Sequence, residues 1–172
     1  MPVLINHSTF LFLSAILFIC LITLIIKLSS SPSLQYKQHQ ALFSPAENTF
    51  FKILLSAIQA PAFNEKYLLF GKVRIADVLT PRNNLNRQQW QIAFNKISSK
   101  HFDFVLCDKQ TLKVIAVIEL DDKSHQRKKV QARDKLVNKA CASADLPLIR
   151  FTAKKGYNIN EVTNILHSTL SS

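Results

Sequence analysis

HFDFVLCDKQTLKVIAVIELDDKSH, residues 101–125, decides the fold. Its first part, 101–107, HFDFVLC, reads as a strand. Asp108, Lys109 and Gln110 are turn formers. Residues 112–120, LKVIAVIEL, are apolar enough for a central strand. The pair places Asp103 inside one strand, Glu119 and Asp121 at the C-terminal end of the next, and His125 four residues further on. Residues two apart in a strand share a face, so Glu119 and Asp121 point the same way, and antiparallel pairing can bring Asp103 beside them. Three clustered carboxylates in an apolar hairpin repel one another and lose hydration, which is costly unless a cation sits among them. Hard Mg²⁺ is the expected ion, with Mn²⁺ as its substitute, and it would polarise a phosphodiester and activate a water. Each acid taken singly also fits a solvated strand end or an ion pair, whereas Asp122 has the opposite phase and suits a turn.

Working outward, residues 126–144 are expected to form a helix, 146–151 a buried strand and 160–170 a final helix. Upstream, Ser44, Pro45, Ala46 and Glu47 read as an N-cap, a first-turn proline and a capping-box acid. Phe50, Phe51, Leu54, Leu55 and Ile58 follow at helical spacing, so a helix should run to about Ala60. Residues 67–79, YLLFGKVRIADVL, suggest a hairpin or two short strands broken at Gly71. Residues 87–97 suit a short helix. The order of elements makes an α/β domain with a mixed central sheet flanked by helices. Gly71 and Gly156 are the only glycines, so a P-loop or a G-x-G-x-x-G dinucleotide loop cannot be built.

Seven of the seventeen residues from 123 to 139 are Lys or Arg, against the single acid Asp134. On a helical wheel Val130, Val137, Ala140, Cys141 and Ala144 form the inward stripe, and Arg133 falls within it. A buried guanidinium needs an anion: a site carboxylate, a substrate phosphate, or a structural partner such as Asp77 or Glu47. Lys128, Lys135 and Lys139 lie opposite, where they suit a phosphate backbone, anionic lipid or simple solubility. With Arg133, the residues Lys123, Arg127 and Lys128 are the candidate nucleic-acid contacts.

The N-terminal end has a different composition. The chain of 172 residues carries a formal charge of +11, yet no Lys, Arg, Asp or Glu precedes Lys27. Seventeen residues from 10 to 26, FLFLSAILFICLITLII, would make a helix roughly 26 Å long, close to a bilayer core. A cleaved signal peptide fits less well, because no Lys or Arg precedes the run and no clear A-x-A site follows. Residues 1–27 therefore read as a transmembrane anchor, 28–40 as a polar tether and 41–172 as the folded domain. All basic residues follow the span, which places the domain in the cytoplasm on the inner membrane, in single-pass topology. Cys107 and Cys141 form no C-x-x-C pair and suit buried, reduced thiols. This composition excludes a disordered chain, a collagen-like chain and a multi-span transporter.

Asp103, Glu119-Leu120-Asp121, His125, Arg133-Asp134 and the strand Leu148-Ile149-Arg150-Phe151 together resemble the restriction-endonuclease-like superfamily with its PD-(D/E)XK core. Within it the E-x-D-x-x-x-H block is most similar to the very-short-patch repair endonuclease branch, and the LFSPAE and KVRIADVL segments with the anchor look like an uncharacterised bacterial domain family. The resemblance implies that Asp103 and Glu119 are metal-binding acids, that His125 is a general base or phosphate contact, and that Glu47 reaches the metal shell. It also implies a catalytic lysine where Asp121 stands, and Lys123, which has the right phase, lies beyond the strand end. The expected function is a membrane-tethered, Mg²⁺-dependent nuclease with Asp103, Glu119, Asp121 and His125 as its catalytic set. The alternatives are an inactive module that binds nucleic acid or a protein partner, and a structural membrane protein touching anionic lipid. Cleavage of both strands by so small a domain would call for a dimer.

Overall fold

The computed structural model describes residues 7–29, 35–63, 65–121 and 128–171. Residues 1–39 and 40–172 form separate compact units. In the first, helix α1 (His7–Ser29) contains a 21-residue apolar stretch, His7–Lys27, long and apolar enough to cross a membrane.

The second unit is a four-stranded sheet in the order β1-β2-β3-β4, made of β1 (Tyr67–Arg74), β2 (His101–Asp108), β3 (Val114–Asp121) and β4 (Leu148–Thr152). The first three strands are antiparallel and β4 is parallel to β3. The mixed α/β architecture expected from the sequence is thus present. Five α-helices accompany the sheet among the described residues: α2 (Pro45–Ile58), α3 (Ile75–Val78), α4 (Arg87–Ile97), α5 (Lys128–Ser143) and α6 (Ile159–Leu170).

The capping box starts α2 as its sequence dictates. Ser44 Oγ accepts from the Glu47 N–H, and Glu47 Oε2 accepts from the Ser44 N–H at 2.9 Å. Phe50 and Leu54 of α2 and Val162 and Leu166 of α6 then pack on Phe104, Leu106, Ile118 and Ile149 on one side of the sheet. A second cluster joins Ile75, Ile97, Val137 and Cys141, from α3, α4 and α5, to Phe102, Val105, Cys107 and Val117. The strand β3 is buried on both faces, as a near-continuous apolar run requires.

Residues 67–79 differ from the expected hairpin. Gly71 does not end a strand: β1 runs through it to Arg74, paired with β2 at every residue but Lys72, and the chain then turns into the single-turn helix α3. Glycine is needed there because a Cβ would lie 2.2 Å from the ring of Phe43, which packs over the strand. The helix expected from 126 is described from Lys128 onward, and β3 begins at Val114, two residues after the expected start. Leu112, with φ 58°, belongs to the turn, where Asp108 Oδ1 accepts from the N–H groups of Gln110 and Thr111.

Candidate functional site

Strand register sets a row of charged residues across the sheet. Gly71 pairs with Phe104 and Val73 with Phe102, which brackets Lys72 opposite Asp103. The β2–β3 ladder ends at Phe104–Ile118, one step before Asp103 and Glu119, and Glu119 pairs in turn with Arg150 on β4. Where the ladder ends, the Asp103 side chain takes over: its Oδ2 accepts from the Leu120 N–H at 2.9 Å. Asp103 and Glu119 are the buried charged residues of the described chain, Glu119 being only 1% exposed.

Two cations flank these acids. Lys72 Nζ donates to Glu47 Oε1 at 2.5 Å and to Asp103 Oδ1 at 3.5 Å. Its backbone has φ 55°, a left-handed conformation that costs a non-glycine residue about 1 kcal/mol or more. On the other side, Arg133 from α5 donates to Glu119 Oε2 at 3.0 Å and to the His101 carbonyl at 3.2 Å. Of the partners open to Arg133, a site carboxylate is the one found; Asp77 pairs with Arg74, and Glu47 with Lys72. Glu119 Oε1 is left buried without a hydrogen-bond partner.

The electrostatics follow from burial. Desolvation, reinforced by the Asp103 charge, pushes the Glu119 carboxyl up to about 7, although Arg133 and Arg150 pull it back. Burial likewise raises Asp103, with Glu47 adding to it, against the Leu120 N–H, Lys72 and Arg133. Burial also opposes the charges of Lys72 and Glu47, but their mutual contact prevails: the lysine lies above its ordinary value and the glutamate below.

Asp121 shares the phase of Glu119 but joins a different network. Its Oδ1 accepts from Arg150 Nη1 at 2.5 Å, while Arg150 Nε and Nη2 donate to Asn138 Oδ1 on α5 at 3.3 and 2.9 Å. Asp134 Oδ1 lies 3.7 Å from the same guanidinium. The three-carboxylate cluster expected from the sequence is therefore replaced by a pair, Asp103 and Glu119, and among the described residues no group of three or more His, Cys, Asp or Glu side chains is placed to hold a metal ion. Glu47 is tied to its helix cap by one oxygen and to Lys72 by the other. His125, Lys123 and Arg127 lie outside the described residues, and the Lys128 side chain does too.

Lys72 was not marked by its sequence, although a lone lysine between Gly71 and Val73 in an apolar strand was its one visible signal. The pair it adjoins suits a hard cation. Mg²⁺ is commonly held by one or two carboxylates and several waters. Here the unpartnered Glu119 Oε1 and the loosely held Asp103 Oδ1 are the oxygens with capacity left.

The domain is thus a mixed α/β unit with two buried carboxylates where β2 and β3 part. A family model described as Protein of unknown function (DUF2726) matches residues 39–169, and the chain belongs to that family. No curated protein and no solved structure matches it.

Proposed function

We propose that the chain is a membrane-tethered, nuclease-like protein that hydrolyses nucleic-acid phosphodiester bonds at Asp103 and Glu119 with Mg²⁺, Mn²⁺ serving in its place. The observation that carries this reading is Glu119: a carboxylate 1% exposed, beside a second buried carboxylate, with one oxygen unpartnered. Burying two acids together is unfavourable, and a bound cation is what would offset it. Asp103 and Glu119 would hold the ion. Bound there, it would polarise a phosphodiester and activate water at neutral pH.

The chain's own groups have definable parts. The Leu120 N–H fixes the Asp103 carboxylate, and Arg133 fixes Glu119. The Arg133 side chain is 36% exposed and can reach an anion as well as its carboxylate. Three antiparallel strands, a parallel fourth and helices on both faces support a restriction-endonuclease-like fold. The apolar helix α1 supports membrane attachment, and the absence of basic residues before Lys27 favours a cytoplasmic domain on the inner membrane.

The test is cleavage of single- and double-stranded DNA and RNA by the full chain in detergent, with Mg²⁺ and with EDTA. Asp103→Ala and Glu119→Ala should each lower the rate by about a hundredfold or more. Cleavage unchanged in both variants would sink the proposal. A second reading, a nucleic-acid-binding module without catalysis, is favoured by Asp121, which stands where a catalytic lysine is expected and is held by Arg150. Salt-sensitive binding indifferent to Mg²⁺ and to both substitutions would establish that reading instead.

A further inference from the structure

Lys72 is placed at some cost. A β-strand residue with φ 55° is strained, and the ladder skips it: Gly71 and Val73 keep partners on β2 on either side, while Lys72 and Asp103 form no pair. The result is an ammonium that touches Glu47 Oε1 at 2.5 Å and Asp103 Oδ1 at 3.5 Å.

The geometry at Asp103 makes that contact consequential. Oδ2 is committed to the Leu120 N–H, so Oδ1 is the oxygen left for a cation, and the ammonium already lies against it. We infer that Lys72 is a resident counter-cation of the site, which competes with a divalent metal ion for Asp103 Oδ1 and so holds metal affinity down. This inference rests on the proposed metal site and names a regulator of it.

The charge balance agrees. Without metal, Lys72 and Arg133 face Glu47, Asp103 and Glu119, and each acid has at least one positive neighbour. A divalent ion entering between Asp103 and Glu119 meets the repulsion of the ammonium. Lys72 can withdraw: its side chain is 29% exposed, its stem is flexible, and its closer contact is to Glu47, an acid of α2 outside the Asp103–Glu119 pair. A metal ion therefore binds at the expense of an internal ion pair.

The test is calorimetric titration of Mn²⁺ alone into the detergent-solubilised full chain, comparing wild type with Lys72→Met, Lys72→Gly and Lys72→Arg. Lys72→Gly removes the same charge while fitting the left-handed backbone without strain, which guards against a variant that fails to fold. Met and Gly variants should bind Mn²⁺ about tenfold more tightly, and the Arg variant, which keeps the charge, should stay within about threefold of wild type. If wild type binds Mn²⁺ in an Asp103-dependent way and neither neutral variant binds more tightly, the inference about Lys72 is wrong and the metal site stands. If no variant binds at all, the metal site itself is wrong, and the inference falls with it.

Discussion

Two charge networks lie on the C-terminal half of β3, and they are built from the same residue types with different results. Around Asp121, Arg150 is engaged at all three nitrogens, by Asp121 and by Asn138 of α5, so the network ties the helix to the sheet. Around Glu119, two residues earlier, Arg133 satisfies one oxygen and leaves the other buried and unpartnered, while the neighbouring Asp103 shares a strained lysine with Glu47. A network saturated at its guanidinium stabilises the fold. An unsaturated one costs stability, and it is the kind of arrangement found where a ligand completes the site.

The largest expected contrast is in stability against pH. Burial raises the Glu119 carboxyl to about 7, so the folded state holds a proton that the unfolded chain releases near the ordinary value of 4.5. Its contribution is therefore fully present below that ordinary value and is lost as pH rises through about 7. In EDTA, Glu119→Gln should leave stability at pH 4 nearly unchanged and raise it at pH 8 by as much as about 3 kcal/mol, read from urea unfolding. A destabilised Glu119→Gln protein at pH 8 would place Glu119 with the saturated network instead.

Arg150→Met should do the reverse, lowering stability by about 2 kcal/mol at neutral pH, because it leaves Asp121 half-buried without its guanidinium. Its Mn²⁺ binding should not weaken, since Arg150 shares no hydrogen bond with Asp103 or Glu119 and its charge, which acts on Glu119, opposes a cation there. A loss of Mn²⁺ binding in Arg150→Met would merge them. The smallest effect expected is that of Gly71→Ala, which pushes a methyl group into the Phe43 ring and should cost about 1 kcal/mol if Phe43 can tilt aside. An unchanged urea midpoint would show that Phe43 does not hold its place over β1.

Much of the frame was legible because its signals are local. Ser44, Pro45 and Glu47 spell a capping box, and the apolar run before Glu119 reads as a central strand. Turn residues and strand phase alone put Asp103 beside Glu119, but they put Asp121 there as well. What escaped depends on register and on distant partners. Asp121 has the same phase as Glu119, and only Arg150, twenty-nine residues on, separates their environments. Lys72 enters the site through pairing of β1 with β2 and through a backbone dihedral that no composition reveals. Gly71 reads as a strand breaker until Phe43 is seen lying over it.

The most direct test of the central claim is Mn²⁺ binding by the full chain in detergent, followed by the loss of the free-ion electron paramagnetic resonance signal. Three proteins decide it: wild type, Asp103→Asn with Glu119→Gln, and Asp121→Asn. Saturable binding in wild type and Asp121→Asn, and none in the double variant, is the expected result. Wild-type affinity retained in the double variant, or binding lost only in Asp121→Asn, would contradict the assignment of the site to Asp103 and Glu119.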